Sequence, residues 1–383
     1  MLISVPRETA VGERRVALVP ESCKKLIQAG YAVAIESGAG EGAFVPDDAY
    51  RAVGVVVERD PAALLGQADF VLRVNAPLPG AASGRDEVEW MRPGTLLLGS
   101  LMPLRNLDAV RALAAREITA FSTDAIPRTT RAQSMDTLSS MANIAGYRGV
   151  LLAAAELPKY FPMLMTAAGM VPPAKVFVVG AAVAGLQAIA TARRLGATVT
   201  ATDVRPEVKE QIESVGAKYV GVELAESAAA GGGYARELTE EGKARQQELL
   251  AEQCAAADVV VTTALIGGVF APRLITRDMV RRMKAGAVIV DLAADGGCNC
   301  ELSRAGETVV EHGVRILAPL NVPAAMPTHA STLFSRNLTA FVQAFTREQA
   351  FVLDLADDIQ QGALITHAGQ VVHARTKDAL TQA

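Results

Sequence analysis

One stretch, residues 175–203, restricts the fold of this chain more than any other, because its pattern is strand, tight turn, helix and strand. Residues 176–179 are a β-branched and aromatic run, which is typical of a buried parallel strand. Gly180 ends that run, and apolar residues at helical spacing follow it. Residues 199–202 read as a second strand that ends at Asp203. The stretch therefore predicts a βαβ unit of a parallel sheet.

The turn after the first of these strands has the spacing of a dinucleotide-binding loop. In such loops the first glycine permits the turn, a small residue lets a pyrophosphate approach the backbone, and the last glycine lets the helix lie close to the strand. Here the three positions are Gly180, Ala182 and Gly185, so an alanine replaces the middle glycine. Asp203 follows 23 residues after Gly180, where an acid accepts hydrogen bonds from ribose hydroxyls. We expect a dinucleotide site rather than a βαβ unit without ligand. Because a 2′-phosphate would meet a carboxylate, NAD(H) is favoured, and Arg205 keeps NADP(H) open as the alternative.

The composition fits a globular chain with room for two domains. The chain has 383 residues, of which 50% are hydrophobic and 20% charged. A net charge of −4 gives no indication of nucleic acid or of an anionic membrane surface as a partner. The longest mostly apolar run, residues 176–192, is long enough for a membrane span, but its glycine spacing favours the nucleotide fold. We expect a chain that is soluble by itself, with no metal site and with four reduced thiols, Cys23, Cys254, Cys298 and Cys300.

The order of the predicted elements indicates two parallel α/β domains. Strands are predicted at residues 2–5, 31–35, 70–74, 95–98 and 118–121 for the first sheet, and at 218–222, 258–264, 287–291 and 314–317 for the continuation of the second. A helical pattern at 329–356 and a hairpin at 362–373 are expected to return to the first domain. The prediction is an α/β fold of two Rossmann-like parallel-sheet domains with a cleft between them and a discontinuous first domain. The expected domains are residues 1–136 plus 325–383, and residues 137–324.

A polar cluster precedes a long helical pattern at residues 137–157. Its members are Arg128, Arg131, Gln133, Asp136 and Ser139. The last two lie three residues apart, on one face of a helix. From spacing alone, the alternative to a binding site is a solvated helix start with a capping residue.

A run of small residues at 228–233 ends at Tyr234. Such a run is either a loop whose aromatic residue closes over a ligand or a surface linker.

Several long stretches together resemble one family over essentially the whole chain. They are PRE…GERRVALVP at 6–20, PRTTRAQSMDTLSS at 127–140, AGYRGV at 145–150, FPMLMTAAGMVPPAKV at 161–176, VAGLQAIATARRLGA at 183–197, TDVRPEVKEQIES at 202–214, GGYARE at 232–237 and TTALIGG at 262–268. With these motifs the chain resembles the NAD(H)-binding component of proton-translocating NAD(P) transhydrogenase, the first segment of its alpha subunit. The resemblance implies an enzyme of the Si-specific, AB-stereospecific type that passes a hydride from NADH to NADP⁺.

The resemblance also implies what individual residues do. The positions that hold the nicotinamide and its ribose, and are catalytic, are Arg128, Gln133, Asp136 and Ser139. The positions that bind the rest of the nucleotide are Gly180, Ala182, Val183, Ala184, Gly185, Asp203, Val204, Arg205, Gln246 and Leu265, with Gly233 and Tyr234 in a mobile loop that folds over it.

The partners that the resemblance implies are a second copy of the chain and two further polypeptides. Family members are homodimers that dock onto an NADP(H)-binding beta subunit, which is attached to a membrane-spanning subunit that translocates protons. Neither component is present in this sequence, so both are expected to be separate chains. The resemblance places the chain in the cytoplasm, peripheral on the inner face of the cytoplasmic membrane, with no nucleic acid partner.

Two other functions compete with this hypothesis. An alanine dehydrogenase of the same fold family is the first, and Arg15 lies at the position that this enzyme uses for its substrate carboxylate. Reduction of an imine also needs acid/base groups, and the enzyme's lysine and histidine are replaced here by Asn75 and Met102, which cannot transfer protons. The second is a nucleotide-sensing interaction protein without turnover, which needs to bind only the adenosine half.

Overall fold

The computed structural model describes residues 1–78, 84–221, 240–265 and 270–382 of the chain, which fold as two compact units. The first unit comprises Met1–Met141 and Ala324–Ala383, and the second comprises Ala142–Pro323. Each unit contains one mainly parallel sheet. The predicted fold class, α/β with two Rossmann-like units and a discontinuous first unit, is therefore confirmed. Gly233 and Tyr234 lie outside the described residues.

The strands are numbered in chain order. They are β1 (Leu2–Val5), β2 (Ala32–Glu36), β3 (Val56–Glu58), β4 (Phe70–Asn75), β5 (Leu96–Ser100), β6 (Thr119–Ser122), β7 (Leu164–Thr166), β8 (Gly169–Val171), β9 (Lys175–Val179), β10 (Thr198–Thr202), β11 (Lys218–Tyr219), β12 (Val259–Thr262), β13 (Val288–Asp291), β14 (Thr308–Glu311), β15 (Val314–Leu317), β16 (Thr346–Arg347), β17 (Ala350–Phe351), β18 (Leu364–His367) and β19 (Gln370–Val371).

The α-helices are numbered in the same way. They are α1 (Pro20–Gln28), α2 (Asp47–Arg51), α3 (Pro61–Gln67), α4 (Glu87–Trp90), α5 (Leu107–Ala115), α6 (Thr137–Glu156), α7 (Val183–Arg194), α8 (Lys209–Ser214), α9 (Glu240–Ala256), α10 (Arg277–Arg281), α11 (Pro327–Ala344), α12 (Asp358–Ala363) and α13 (Ala374–Gln382). Within the described ranges, none of the helices combines the length and the apolar character that a membrane span requires.

The sheet of the first unit has eight strands in the order β19-β18-β6-β5-β4-β1-β2-β3. Among these described strands, only the pairs that involve β18 are antiparallel. The C-terminal segment of the chain belongs to this unit because α11 packs on its core with Phe334 and Phe341, which are fully buried. Two serines of α11 also accept hydrogen bonds from the N-terminal segment: Val16 N donates to Ser331 Oγ over 3.1 Å and Val19 N donates to Ser335 Oγ over 3.0 Å.

The sheet of the second unit has seven strands in the order β11-β10-β9-β12-β13-β15-β14, and of the pairs that the structure describes only β14–β15 is antiparallel. Its interior strand β9, the third in this order, is buried on both faces, which is why it reads as a continuous apolar run. Val176 and Val178 belong to the core on one face, and Phe177 and Val179 to the core on the other. Because β10 and β12 lie on opposite sides of β9, the chain reverses direction across the sheet at the carboxyl end of β9.

The prediction of a helix over residues 329–356 is wrong beyond Ala344. There α11 ends, and a two-stranded hairpin, β16 and β17, follows. Glu348 and Gln349 form its turn with positive φ angles of 49° and 62°, as the hairpin turns that match strand twist require. The reversal returns Phe351 to the core, where its ring centroid lies 5.5 Å from that of Phe70. The packing of this partly buried ring against Phe70 and Phe121 outweighs the helical periodicity of the segment.

Candidate functional site

The loop between β9 and α7 requires both of its glycines. Gly180 has a φ of 91°, which only glycine adopts readily. A Cβ at Gly185 would lie 1.9 Å from the carbonyl oxygen of Gly180, so helix and loop approach each other as the glycine spacing predicts. Ala182, the position that departs from the usual pattern, has extended backbone with φ −76° and ψ −166° and is half-buried. A methyl group therefore fits at this position of the loop without backbone strain.

The N-terminus of α7 has the properties of an anion site. No side chain among the described residues caps it, and its first turn contains no acidic residue. Val183 and Ala184 open the helix and are partly exposed. The N–H groups of a first helical turn lack partners within the helix and carry partial positive charge. This end of α7 can therefore accept phosphate oxygens.

Asp203 joins the end of β10 to this loop. Its Oδ2 accepts a hydrogen bond from Ala181 N over 2.8 Å. Arg205 donates three more to the same carboxylate, from its backbone N (3.0 Å), Nε (2.9 Å) and Nη2 (3.0 Å). The hydrogen bond from its side chain to Asp203 is also the main cause that raises the pKa of Arg205. The predicted ribose-binding acid therefore forms an ion pair with Arg205, two residues further along the chain. Val204 lies between the two residues in the sequence.

Three residues that sequence reasoning missed support the loop from the neighbouring strands. Thr263, directly after β12, donates from Oγ1 to the carbonyl oxygen of Gly180 over 3.0 Å. Asn299 binds Ala264 twice: Ala264 N donates to its Oδ1 over 3.0 Å, and its Nδ2 donates to the Ala264 carbonyl over 2.9 Å. Asp291, fully buried at the end of β13, accepts from Asn299 N over 2.9 Å. The position of Thr263 beside the strand-order reversal is the signal that could have identified it.

The other two predicted nucleotide positions of this unit lie on different elements. Leu265 follows Ala264 directly and is half-buried. Gln246 lies half-buried on α9. The hydrogen bonds that link Asp203, the glycine loop and Thr263 do not extend to either of them in the described ranges.

In the first unit, Asp136 and Ser139 are brought together as their spacing predicts. Asp136 directly precedes α6, and its Oδ1 accepts from Ser139 N over 2.8 Å. Its Oδ2 accepts from Ser139 Oγ over 2.6 Å. This is the geometry of a helix N-cap, which stabilises a helix by about 1 kcal/mol. The capping alternative is therefore part of the structure, and it fixes the orientation of both side chains.

Arg128 and Gln133 lie on the segment that leads into α6, and neither is buried. Gln133 belongs to a 3-10 turn, Thr130–Met135. Asn337 of α11 holds this segment on either side of Asp136: its Nδ2 donates to the Ser134 carbonyl and its Oδ1 accepts from Ser140 Oγ, both over 2.8 Å.

The same segment carries a second connection to the end of the chain. Arg131 forms ion pairs with Asp357, over 2.6 Å, and with Asp358. The polar cluster is thus anchored to the C-terminal segment at two places, through Asn337 and through Arg131.

Two of the three positions compared with alanine dehydrogenase, Arg15 and Asn75, belong to a buried charge network. The Glu13 carboxylate accepts hydrogen bonds from Arg15 Nε over 2.8 Å and from Arg15 Nη2 over 2.6 Å. Burial acts to raise the pKa of Glu13, but the hydrogen bonds and charge of Arg15 lower it to about 2. Asn75 Nδ2 donates to Glu13 over 3.0 Å and to Glu8 over 3.1 Å. The Arg15 guanidinium is therefore bound to a carboxylate of its own chain.

The described stretches of the chain contain no group of three or more His, Cys, Asp or Glu arranged to hold a metal ion. The four cysteines are buried and unbridged. Burial raises the pKa of Cys23 and of Cys254 to about 12, so these two are protonated thiols of low reactivity.

Comparisons with known proteins identify the family. The profile described as "Alanine dehydrogenase/PNT, N-terminal domain" matches residues 4–145, and the one described as "Alanine dehydrogenase/PNT, C-terminal domain" matches residues 149–374. A protein of Rhodospirillum rubrum whose name describes it as the first part of NAD(P) transhydrogenase subunit alpha is 47% identical over 377 residues, which cover 97% of this chain and 98% of that protein.

Two solved structures are similar over nearly the whole chain. A crystal structure of transhydrogenase from Sinorhizobium meliloti matches with a TM-score of 0.87 and 43% identity, covering 97% of this chain and 100% of that one. An L-alanine dehydrogenase matches with a TM-score of 0.82 and 26% identity, covering 100% of this chain and 99% of that one. The chain therefore belongs to the alanine dehydrogenase/PNT family and, within it, to the alpha subunits of NAD(P) transhydrogenase.

Proposed function

We propose that this chain is the NADH-binding component of a proton-translocating NAD(P) transhydrogenase of the Si-specific, AB-stereospecific type. It passes a hydride from NADH to NADP⁺ held by a partner subunit. The observation that carries the proposal is the 47% identity to the Rhodospirillum rubrum transhydrogenase protein, over 98% of that protein's length.

The glycine loop and Asp203 are proposed to bind the phosphates and the adenosine ribose of NAD(H). The uncapped first turn of α7 suits the pyrophosphate, with Gly180, Ala182, Val183, Ala184 and Gly185 as its contacts. Asp203, Val204 and Arg205 follow at the end of β10, where a ribose-binding acid is expected. Gln246 and Leu265 are proposed as further lining residues, and Gly233 and Tyr234, outside the described residues, as the loop that folds over the nucleotide.

In the first unit, Arg128, Gln133, Asp136 and Ser139 are proposed to orient the nicotinamide and its ribose. Both carboxylate oxygens of Asp136 are bound by Ser139, so the pair has a fixed geometry before any ligand arrives. Arg128 and Gln133 are not buried, so a ligand or a partner's nucleotide can reach them. A fixed donor and acceptor array of this kind acts by positioning the reacting ring.

The bound nicotinamide supplies the hydride itself, and the chain supplies no proton. Asn75 and Met102 stand where the related dehydrogenase has its lysine and histidine, and neither can act as acid or base. Arg15, the candidate cation for a substrate carboxylate, is paired with Glu13. The residues of this chain therefore contribute orientation and exclusion of water, which is what direct transfer between two nicotinamides requires.

The proposed assembly follows from the same relationship. A homodimer of this chain docks onto an NADP(H)-binding beta subunit, and a membrane-spanning subunit couples the transfer to proton translocation. The chain then lies at the inner face of the cytoplasmic membrane through these partners.

The direct test mixes the purified chain with a purified NADP(H)-binding component and follows reduction of thio-NADP⁺ by NADH. Hydride transfer that needs both proteins supports the proposal. A parallel reaction offers the chain alone NAD⁺ and alanine. Robust NAD⁺ reduction there, without transfer to thio-NADP⁺, would assign the chain to the alanine dehydrogenase alternative.

A further inference from the structure

The carboxylate of Asp203 has no spare capacity to accept hydrogen bonds in this structure. Its Oδ1 accepts from the backbone N and from Nε of Arg205, over 3.0 and 2.9 Å. Its Oδ2 accepts from Ala181 N and from Arg205 Nη2, over 2.8 and 3.0 Å. A carboxylate offers about four lone-pair sites, so four donors use them all. Two ribose hydroxyls cannot bind this carboxylate without displacing a donor.

The four donors differ in how easily they can leave. The two backbone N–H groups belong to the glycine loop and to the turn after β10, so displacing either of them requires the backbone to move. The other two belong to the Arg205 side chain, which reaches Asp203 by rotations about single bonds. The side chains of Arg205 and Asp203 are 11% and 7% exposed, so little water competes for the pair. The guanidinium is therefore the donor that can leave with the least change to the backbone.

We propose that Arg205 is a specificity-determining residue that occupies the adenosine-ribose subsite and leaves the Asp203 carboxylate only when a ligand offers two hydroxyls in its place. This inference rests on the proposed function, and it identifies Arg205 as the group that competes with the ribose for the Asp203 carboxylate. A ligand with intact 2′- and 3′-hydroxyls replaces both side-chain bonds. A ligand without them has nothing to offer Asp203, so the Arg205–Asp203 pair stays closed.

The same pair determines how the site responds to a 2′-phosphate. Arginine binds phosphate well, but here its guanidinium is turned towards Asp203, and the carboxylate repels an anion. Asp203→Asn removes the repulsion and releases the guanidinium at the ribose. NADPH should then gain affinity relative to NADH, and the gain should disappear in the double variant Asp203→Asn with Arg205→Ala.

The test compares three ligands on the full chain by calorimetry: NADH, ADP and 2′,3′-dideoxy-ADP. With Arg205→Ala we expect NADH and ADP to bind about tenfold more tightly, because one or two competing charge-assisted hydrogen bonds of modest net value are gone. The dideoxy ligand should bind the two proteins equally. Arg205→Lys, which keeps the charge but offers one bond in place of two, should give an intermediate gain and also covers the case in which the alanine variant does not fold.

Lys209→Ala is the matched control, because Lys209 is exposed at the start of α8 and its removal changes the net charge by the same amount. It should not tighten any of the three ligands. Unchanged or weaker NADH binding by both Arg205 variants would refute the proposal that Arg205 competes with the ribose hydroxyls for Asp203. An equal gain in affinity for the dideoxy ligand would refute it as well. Failure of the unaltered chain to bind NADH would instead refute the proposed function, so the two failures are distinguishable.

Discussion

Asn337→Ala is the substitution that most directly connects the packing of the first unit with the proposed catalysis. Asn337 is 8% exposed, and its amide forms one hydrogen bond to the Ser134 carbonyl and one to Ser140 Oγ, both 2.8 Å long. These contacts hold the chain on either side of Asp136. Each is worth about 1 kcal/mol, and leaving the partners unpaired adds to the loss, so we expect a destabilisation of about 2–3 kcal/mol. For a unit of this size the midpoint of thermal unfolding should fall by roughly 4–12 °C.

The functional consequence should be larger than the structural one. Release of the 134–140 segment lets Gln133 and Asp136 move relative to a bound nicotinamide, and a displacement of about 1 Å costs on the order of 100-fold in rate. We expect hydride transfer to thio-NADP⁺ to fall by at least about tenfold at temperatures where the variant is folded. The Kd for NADH should change by less than about threefold, because most of the nucleotide contacts are proposed in the second unit.

The assay pairs stopped-flow hydride transfer with NADH titration and differential scanning calorimetry. Ser140→Ala removes one of the two bonds and should give about half of the destabilisation. Asn143→Ala is the matched control, because Asn143 is exposed on α6 and its amide donates to the side chain of Gln187 over 3.1 Å. If Asn337→Ala lowers the unfolding temperature but leaves hydride transfer at the level of the Asn143→Ala control, the positioning argument is refuted.

Three further predictions concern the loop, the polar cluster and the buried charges. Gly185→Ala should weaken NADH binding by at least about tenfold in fluorescence titration, because its Cβ would lie 1.9 Å from the Gly180 carbonyl, whereas Ala182→Gly should change the Kd by less than about threefold; equal effects would contradict the proposed loop geometry. Asp136→Asn should lower hydride transfer far more than NADH affinity, because the amide replaces one of the two oxygens that accept from Ser139 N and Ser139 Oγ with a donor. Parallel losses would show that Asp136 only binds. The pKa of Glu13 is lowered from 4.5 to about 2, so its contribution of up to about 3 kcal/mol is present above pH 4.5 and is lost as pH falls towards 2. In urea unfolding, the stability difference between the unaltered chain and Glu13→Gln should therefore shrink between pH 6 and about pH 3, and a constant difference would be evidence against the Glu13–Arg15 ion pair.

The βαβ unit of the second sheet could be predicted from the sequence because all its determinants are local. The apolar run of β9, the turn at Gly180 and the acid after β10 follow one another within residues 175–203. Short edge strands such as β3 and β14 were not predicted, because each is a few residues long and only partly buried. The end of α11 was missed because the tertiary contacts of Phe351 with other aromatic rings decide it.

In the candidate site too, contacts between residues close in the sequence could be predicted, and contacts between distant residues could not. The approach of Asp136 to Ser139 could be predicted, because a three-residue spacing is that of a capping residue and the third residue of the helix it caps. Asn337 could not, because it contacts Ser134 across a separation of 203 residues. Thr263 contacts Gly180 of the loop, and Asn299 contacts Ala264 next to Thr263. Both contacts depend on the arrangement of the strands, which the local sequence does not show. The ion pair of Arg205 with Asp203 is local, but a sequence does not show which way the guanidinium turns.

The buried carboxylate of Asp291 has a practical consequence for protein engineering. It accepts hydrogen bonds from Thr262 Oγ1, Ala293 N, Asn299 N, Cys300 N and Ser303 Oγ. One side chain thus holds three separate pieces of backbone, one of which leads directly into Thr263, the residue that donates to the Gly180 carbonyl. Transplanting residues 175–203 into another scaffold, or rebuilding them to accept a different coenzyme, will need Asp291 and its five donors to be carried along. A designer who copies the glycine motif alone would obtain the loop without the hydrogen bonds to Asp291.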